Sequence, residues 1–264
     1  MKNENTIDQN KLKAFVFDNI LPSTRGAMSI IMAIIGDKLG LFKAMCDYGP
    51  VTAETLSIHT GMHQRYLQEW LSALAAAHWI DYDPQTEEFH LTPEQATVFV
   101  DSNSLMYFQG VFGIFDACHL DLKKIISAFK SGQGISWNDR EKCLFCSLAD
   151  SSGPKYKNQL ISAWLPKLPG IVSKLNAGAK VADVGCGSGL TTLLMAEAFP
   201  NSEFYGFDLH AGSIEQAKTT ALETGLALGA QAAPARLQQV TSEAGFNHFS
   251  IVYKTMSHMV IHVN

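Results

Sequence analysis

Two acids and three glycines carry the chemistry legible in this chain: Asp183-x-Gly185-x-Gly187-x-Gly189, and Asp208 farther on. Alternating glycines let a backbone turn come close to a ligand, and a helix that starts directly after them offers unpaired N–H groups. Asp208 ends a second strand-like run, where its carboxylate can accept hydrogen bonds from both hydroxyls of a ribose. The set predicts a nucleoside-cofactor site. It is not the dinucleotide fingerprint G-x-G-x-x-G, whose third glycine would fall at Leu190 or at Thr192. Nicotinamide chemistry is therefore disfavoured.

The elements that must position these residues follow from the pattern around them. KVADV reads as a strand, GCGSG as the turn, and LTTLLMAEAFP as a helix with Leu190, Leu193, Leu194 and Ala198 on one side. NSEFYGFDLH is a second strand, and Ser213 to Leu226 a second helix. Together they make half of a mononucleotide-binding unit. Upstream, residues 103–179 look helical, with breaks expected at SGQGISWND and SSGPK. Trp164, Leu165, Leu168, Ile171, Val172 and Leu175 form an apolar face leading to the first strand. Phe108, Phe112, Phe115 and His119 fall along one helix side, as a core or subunit-contact face or as the wall of a substrate pocket.

The N-terminal half predicts helix over residues 24–48 with a break near Gly36 to Gly40. A helix capped by Thr52 follows and ends near Gly61. The next carries Tyr66, Leu67, Trp70, Leu71 and Leu74 on one face, and two short strands close the segment around Pro84. Helices followed by a hairpin give a winged-helix arrangement. Its charge argues against a DNA role: residues 51–100 hold Arg65 against seven acids, whereas phosphate binding needs several cations. The net charge of −5 and 47% apolar content describe a folded chain without a broad cationic surface. The most apolar run, Ala27 to Gly36, is half of a membrane span. Cys143-x-x-Cys146 is a lone pair in a helix-like stretch without the spacing of a zinc site, so no metal is expected. His258 and His262 sit in a strand-like tail and predict none either. These features point to the cytoplasm.

DVGCGSG with FDL resembles the first and second motifs of class I S-adenosylmethionine-dependent methyltransferases. With the winged-helix front and the leader NQLISAWLPKLPGIVSKLNAGAKVADVGCG, the chain resembles the bacterial and nematode family that joins an N-terminal winged helix to a Rossmann-like domain. The likeness runs from about Ala27 to Leu226 and over the last thirty or so residues. It implies an α/β fold, with residues 1–150 as a helical dimerisation and substrate-side domain and 155–264 as the S-adenosylmethionine domain. It implies that Asp183, Gly185 and Gly187 surround the methionine part of the cofactor while Gly189 shapes the turn. Asp208 then holds the ribose and Leu209 lies against the adenine. The expected partners are a small-molecule methyl acceptor and a second copy of the chain, with neither nucleic acid nor membrane. No catalytic base is identified.

Such a core implies seven strands, and only 38 residues follow Leu226. A strand-plus-helix step takes roughly 20 to 30 residues, so the methyltransferase domain is expected to be truncated internally by about 90 residues between roughly Leu226 and Ala230. The tail then reads as the family's last helix and closing hairpin, the hairpin pairing beside the first strand. Weak cofactor binding with little methyl transfer is the expectation. The alternatives are a non-enzymatic interaction subunit and a winged-helix regulator.

Overall fold

The structure, a computed structural model, describes residues 7–224, 249–254 and 259–263. The chain divides into two compact units, Met1–Leu120 and Asp121–Asn264.

In the first unit, α1 (Gln9–Phe15) starts where Asp8 accepts the N–H groups of Asn10 and Lys11, well before the expected residue 24. A π turn, Val16–Ile20, leads into α2 (Leu21–Lys38). Gly36 is not a break. It lies within α2, where an added Cβ would stand 2.5 Å from Trp70 and 2.7 Å from Phe42. Glycine there permits close helix packing, and the break expected near Gly36 to Gly40 falls at the far end of that stretch, at Leu39 and Gly40, the latter with φ of 66°. There follow α3 (Leu41–Tyr48), α4 (Ala53–Thr60) and α5 (Gln64–Ala76). Thr52 and Thr55 satisfy each other's backbone N–H groups at the start of α4, and Gly61 closes it in the left-handed region.

Leu67, Trp70, Leu71 and Leu74 are buried along α5, whereas Tyr66 is 76% exposed. Each helical residue turns about 100°, which carries Tyr66 past the edge of the packed face. Antiparallel β1 (Asp81–Asp83) and β2 (Glu88–His90) form the wing, and Val51 pairs with Phe89 beside them. The unit ends with α6 (Pro93–Phe99) and α7 (Gln109–Leu120). Phe42 joins the core elements, stacking on Phe99 at 4.4 Å and meeting Trp70 edge-on at 5.2 Å. The Trp70 indole N–H donates to the Met32 carbonyl at 2.8 Å.

The second unit begins with α8 (Leu122–Ser131) and α9 (Lys142–Gln159). Residues 121–150 thus group with it, where the sequence pattern suggests a boundary between 150 and 155. Asp121 is fully buried and accepts from Lys124 at 2.7 Å and Arg140 at 2.6 Å. This ties α8 to the segment entering α9. The hydrogen bond from Lys124 is the largest influence holding the Asp121 carboxyl below its ordinary range. The break expected at SSGPK does not occur. Pro154 lacks an N–H to donate, yet α9 continues through it with Gly153 and Pro154 both buried. Burial of this stretch offsets the lost hydrogen bond. A Cβ on Gly153 would lie 3.6 Å from Leu190.

Beyond a π turn, Leu160–Trp164, come α10 (Ile171–Ala177), β3 (Lys180–Val184), α11 (Leu190–Ala198), β4 (Glu203–Phe207) and α12 (Ala211–Glu223). β3 and β4 are parallel, with Val181 opposite Phe204 and Val184 opposite Phe207. Trp164, Leu165, Leu168 and Leu175 pack with Met195, Phe199 and Phe204 beneath them. The terminal strands β5 (Phe249–Lys254) and β6 (Met259–Val263) pair antiparallel as a separate sheet. The expected pairing of this hairpin beside β3 is therefore not formed among the described residues. Leu226 to Ala230, the link and helix expected before the hairpin, and His258 lie outside the described residues; His262 falls in β6.

Candidate functional site

Each of the three alternating glycines has a backbone that L-residues rarely adopt: φ is 78° at Gly185, 55° at Gly187 and 80° at Gly189. Two N–H groups, those of Gly185 and Cys186, donate to the Phe207 carbonyl at 2.7 and 3.0 Å, which welds the turn to the end of β4. Side chains added at Gly185 or Gly187 would meet nothing within 4 Å. The turn is thus bordered by open space and followed at once by the N-terminus of α11, a combination suited to an approaching polar ligand.

The two acids serve this turn differently. Asp183 is half-buried, and its Oδ2 accepts from the hydroxyls of Thr191 and Thr192 at 2.6 and 2.7 Å. Asp208 accepts the Gly187 N–H at Oδ2 and the His210 N–H at Oδ1, both at 2.8 Å. A carboxylate has about four lone-pair positions, so each acid keeps acceptor capacity beyond these bonds. Leu209, the next residue, is 43% exposed. All six expected residues, Asp183, Gly185, Gly187, Gly189, Asp208 and Leu209, lie in the turn and at the adjoining strand ends.

Four neighbours escaped the sequence reading. Thr191 and Thr192 are the first; the buried side of α11 includes Thr192, Leu193 and Met195, while Ala198 is exposed. A threonine pair in the first turn after the glycines was the available signal, masked by the apolar spacing of the leucines. Tyr156 of α9 is the third. Burial foremost, and the negative Asp183 to a lesser degree, push its phenol above the ordinary range. His210 is the fourth, capping α12 by accepting the Ser213 N–H. Cys186 within the turn is buried, and its thiol is pushed up to about 12 by burial and by Asp183 and Asp208. It stays protonated and acts as packing. Cys143 and Cys146 lie in the first turns of α9, in the helix expected for them. Among the described residues no group of three or more side chains is arranged to hold a metal ion, and no helix is long and apolar enough to cross a membrane.

The first unit has a groove of about 540 Å³ lined by Trp79, Phe99, Phe108, Phe112 and Phe115, with Glu94 among the polar residues of its lining. Phe112 is buried and stacks with Trp79, while Phe115 is 53% exposed. Both α7 aromatics thus line the groove, Phe112 from the core and Phe115 from the solvent side.

A parallel strand–glycine turn–helix–strand unit with an acid at each strand end is the nucleotide-binding half of a Rossmann-like domain. Comparison with known proteins agrees on both units. Residues 26–100 match the Rv2258c-like winged HTH domain and residues 181–263 the methyltransferase domain. The chain thus joins a winged-helix domain to a methyltransferase domain.

Solved structures with the same fold include the mitomycin 7-O-methyltransferase MmcR, at 17% identity and a TM-score of 0.59 over 85% of this chain and 67% of that one. PigF with SAH matches at 14% identity and a TM-score of 0.62, over 82% of this chain and 66% of that one. An O-methyltransferase-like protein from Nostoc punctiforme matches at 21% and 0.59, over 83% and 64%. At these identities the likeness is one of fold, and the chain spans about two thirds of their length.

Proposed function

We propose that this protein binds S-adenosylmethionine and belongs to a class of enzymes that methylate small molecules, with a hydroxyl as the accepting group. The single observation that supports this best is the Gly187 N–H bound to Asp208 across open glycine backbone. When bound, the cofactor supplies a methyl group on a sulfonium, open to in-line attack. The chain's own part is to hold it. Asp208 would accept the ribose hydroxyls, Leu209 would lie against the adenine, and Asp183 with Gly185 and Gly187 would border the methionine part. Gly189 keeps the turn shaped so that the first N–H groups of α11 stay available. Oxygen as the accepting atom is suggested by MmcR, whose name describes a 7-O-methyltransferase.

Calorimetry with S-adenosylhomocysteine tests the site: binding is expected, weak in the wild type and lost in Asp208→Ala. Transfer of labelled methyl from S-adenosylmethionine to candidate phenols should be slow. Brisk turnover would overturn the view that internal strands of the core are absent; no binding at all would overturn the cofactor assignment. A cytoplasmic placement belongs to the same reading.

A second reading, an interaction subunit that pairs with another copy, is favoured by a specific surface. Phe15, Phe17, Ile20, Leu21, Met28 and Ile31 along α1, the π turn after it and α2 are all at least 40% exposed, more apolar area than a lone helix usually leaves in water. Light scattering on the full chain is expected to give a dimer, and a monomer at micromolar concentration would remove this reading.

A further inference from the structure

The cofactor assignment rests on Asp208, and a carboxylate holds a ribose well only if the turn that carries it is fixed. Its fixation runs through His210. The His210 backbone N–H donates to Asp208 Oδ1. Its ring Nδ1 accepts the Ser213 N–H at 3.1 Å and lies 2.8 Å from Ser213 Oγ. Because a backbone N–H can only donate, Nδ1 is the lone-pair nitrogen, and the neutral ring carries its proton on Nε2. That fixes one edge of the imidazole. The flat face is fixed separately: it lies on the Phe145 ring with centroids 3.6 Å apart and planes within 3°. Phe145 in turn meets Trp137 edge-on at 5.5 Å. Phe145 sits near the start of α9, far from His210 in the chain, so the stack ties α9 to the turn between β4 and α12. Neither ring belongs to the apolar cluster that holds the second unit together.

We infer that Phe145 and His210 are positioning residues for the methyl-donor site. The stacked pair holds the Asp208–His210 turn so that the carboxylate, already braced by Gly187, keeps one direction toward the ribose. This inference rests on the cofactor reading proposed above. It assigns the aromatic segment from Trp137 to Phe145 a part in cofactor affinity that no sequence motif announces.

The test is calorimetry of S-adenosylhomocysteine binding to the full chain, with variants read against wild type. Phe145→Ala is expected to weaken binding about tenfold, equivalent to removing one well-placed contact. Phe145→Tyr keeps the stacking face and should remain within about twofold of wild type. Phe145→Leu keeps apolar bulk without a flat face and should weaken binding nearly as much as alanine does. A role in packing alone would give the opposite result, with leucine rescuing affinity. Asp208→Asn supplies the decisive comparison: if Phe145 acts through Asp208, adding Phe145→Ala to it should cost no more than about twofold further. Full additivity of the two substitutions, or wild-type affinity in Phe145→Ala, would overturn the inference. Circular dichroism of each variant separates loss of fold from loss of affinity, and the leucine and tyrosine variants keep the test decisive where alanine unfolds. Failure of the wild type itself to bind would sink the cofactor reading and this inference with it. Failure of the variants alone to differ sinks only the inference.

Discussion

The winged-helix unit and the nucleotide-binding unit bury their strands and helices to very different degrees. In the first, Leu56, Leu71 and Leu74 are fully covered and Val51 is 1% exposed, with helices on several sides of one aromatic centre. In the second, β3 is paired with β4 on one edge only among the described residues, and Val184 is 52% exposed. Strands of parallel sheets are ordinarily covered on both faces. The first unit closes around this centre and leaves the apolar side of its N-terminal helices in water, while in the second the glycine turn rests on a strand pair that, among the described residues, is open along the other edge of β3. The contrast separates two demands. A glycine turn needs only its strand, its helix and the adjoining strand end to take shape. A full sheet is needed to bury what lies around it.

Substitutions matched across the two units test the contrast, and the largest effect is expected at Trp70. Replacing it with alanine removes a buried ring, its edge contact with Phe42 and its hydrogen bond to Met32. A loss of about 4 kcal/mol is expected, read by hydrogen exchange at the α4 and α5 amides. Protection in those helices equal to wild type would break the picture of a self-contained core. Val51→Ala comes next, at about 2 kcal/mol for a fully buried side chain, measured in the same way.

A smaller, pH-dependent effect is expected at Cys186. Burial foremost, then Asp183 and Asp208, pushes its folded thiol up to about 12 from an ordinary value of 9.0. Below pH 9 both states hold the proton and the contribution is fully present. As pH rises from 9 toward 12 the unfolded chain releases the proton first, so stability falls. Cys186→Ala should flatten the loss of stability that begins above pH 9 in denaturant titrations; an unchanged slope there would show that the thiol does not resist ionisation. The smallest effect belongs to Val184→Ala, the partner experiment to Val51→Ala. With the side chain half in water, the change should stay within about 0.5 kcal/mol. A cost as large as that at Val51 would mean that β3 is covered in solution, and the comparison between the units would have to be redrawn.

Much of this was legible in the residues. Local rules act over a few positions, and where they govern, the reading and the structure agree. Thr52 caps α4, Gly61 ends it, Gly189 starts α11, and Asp208 closes β4. Even the parallel pair follows from the order strand, turn, helix, strand. Gly36 and Pro154 show where such rules fail. Both look like helix breakers from sequence, yet both lie inside helices, because Trp70 and Phe42 press against one and the other is buried in the packing of α9.

The candidate site divides along the same line. The sequence by itself determined the turn, since Asp183 and the three alternating glycines are contiguous and the next strand-like run ends at Asp208. What holds those acids was decided by tertiary structure. The Thr192 hydroxyl reaches Asp183, and the Phe145 ring reaches His210, across separations that periodicity does not encode. A backbone turn is specified by the conformational limits of its own residues. The orientation of a carboxylate is specified by whichever groups the folded chain brings within hydrogen-bonding or stacking distance.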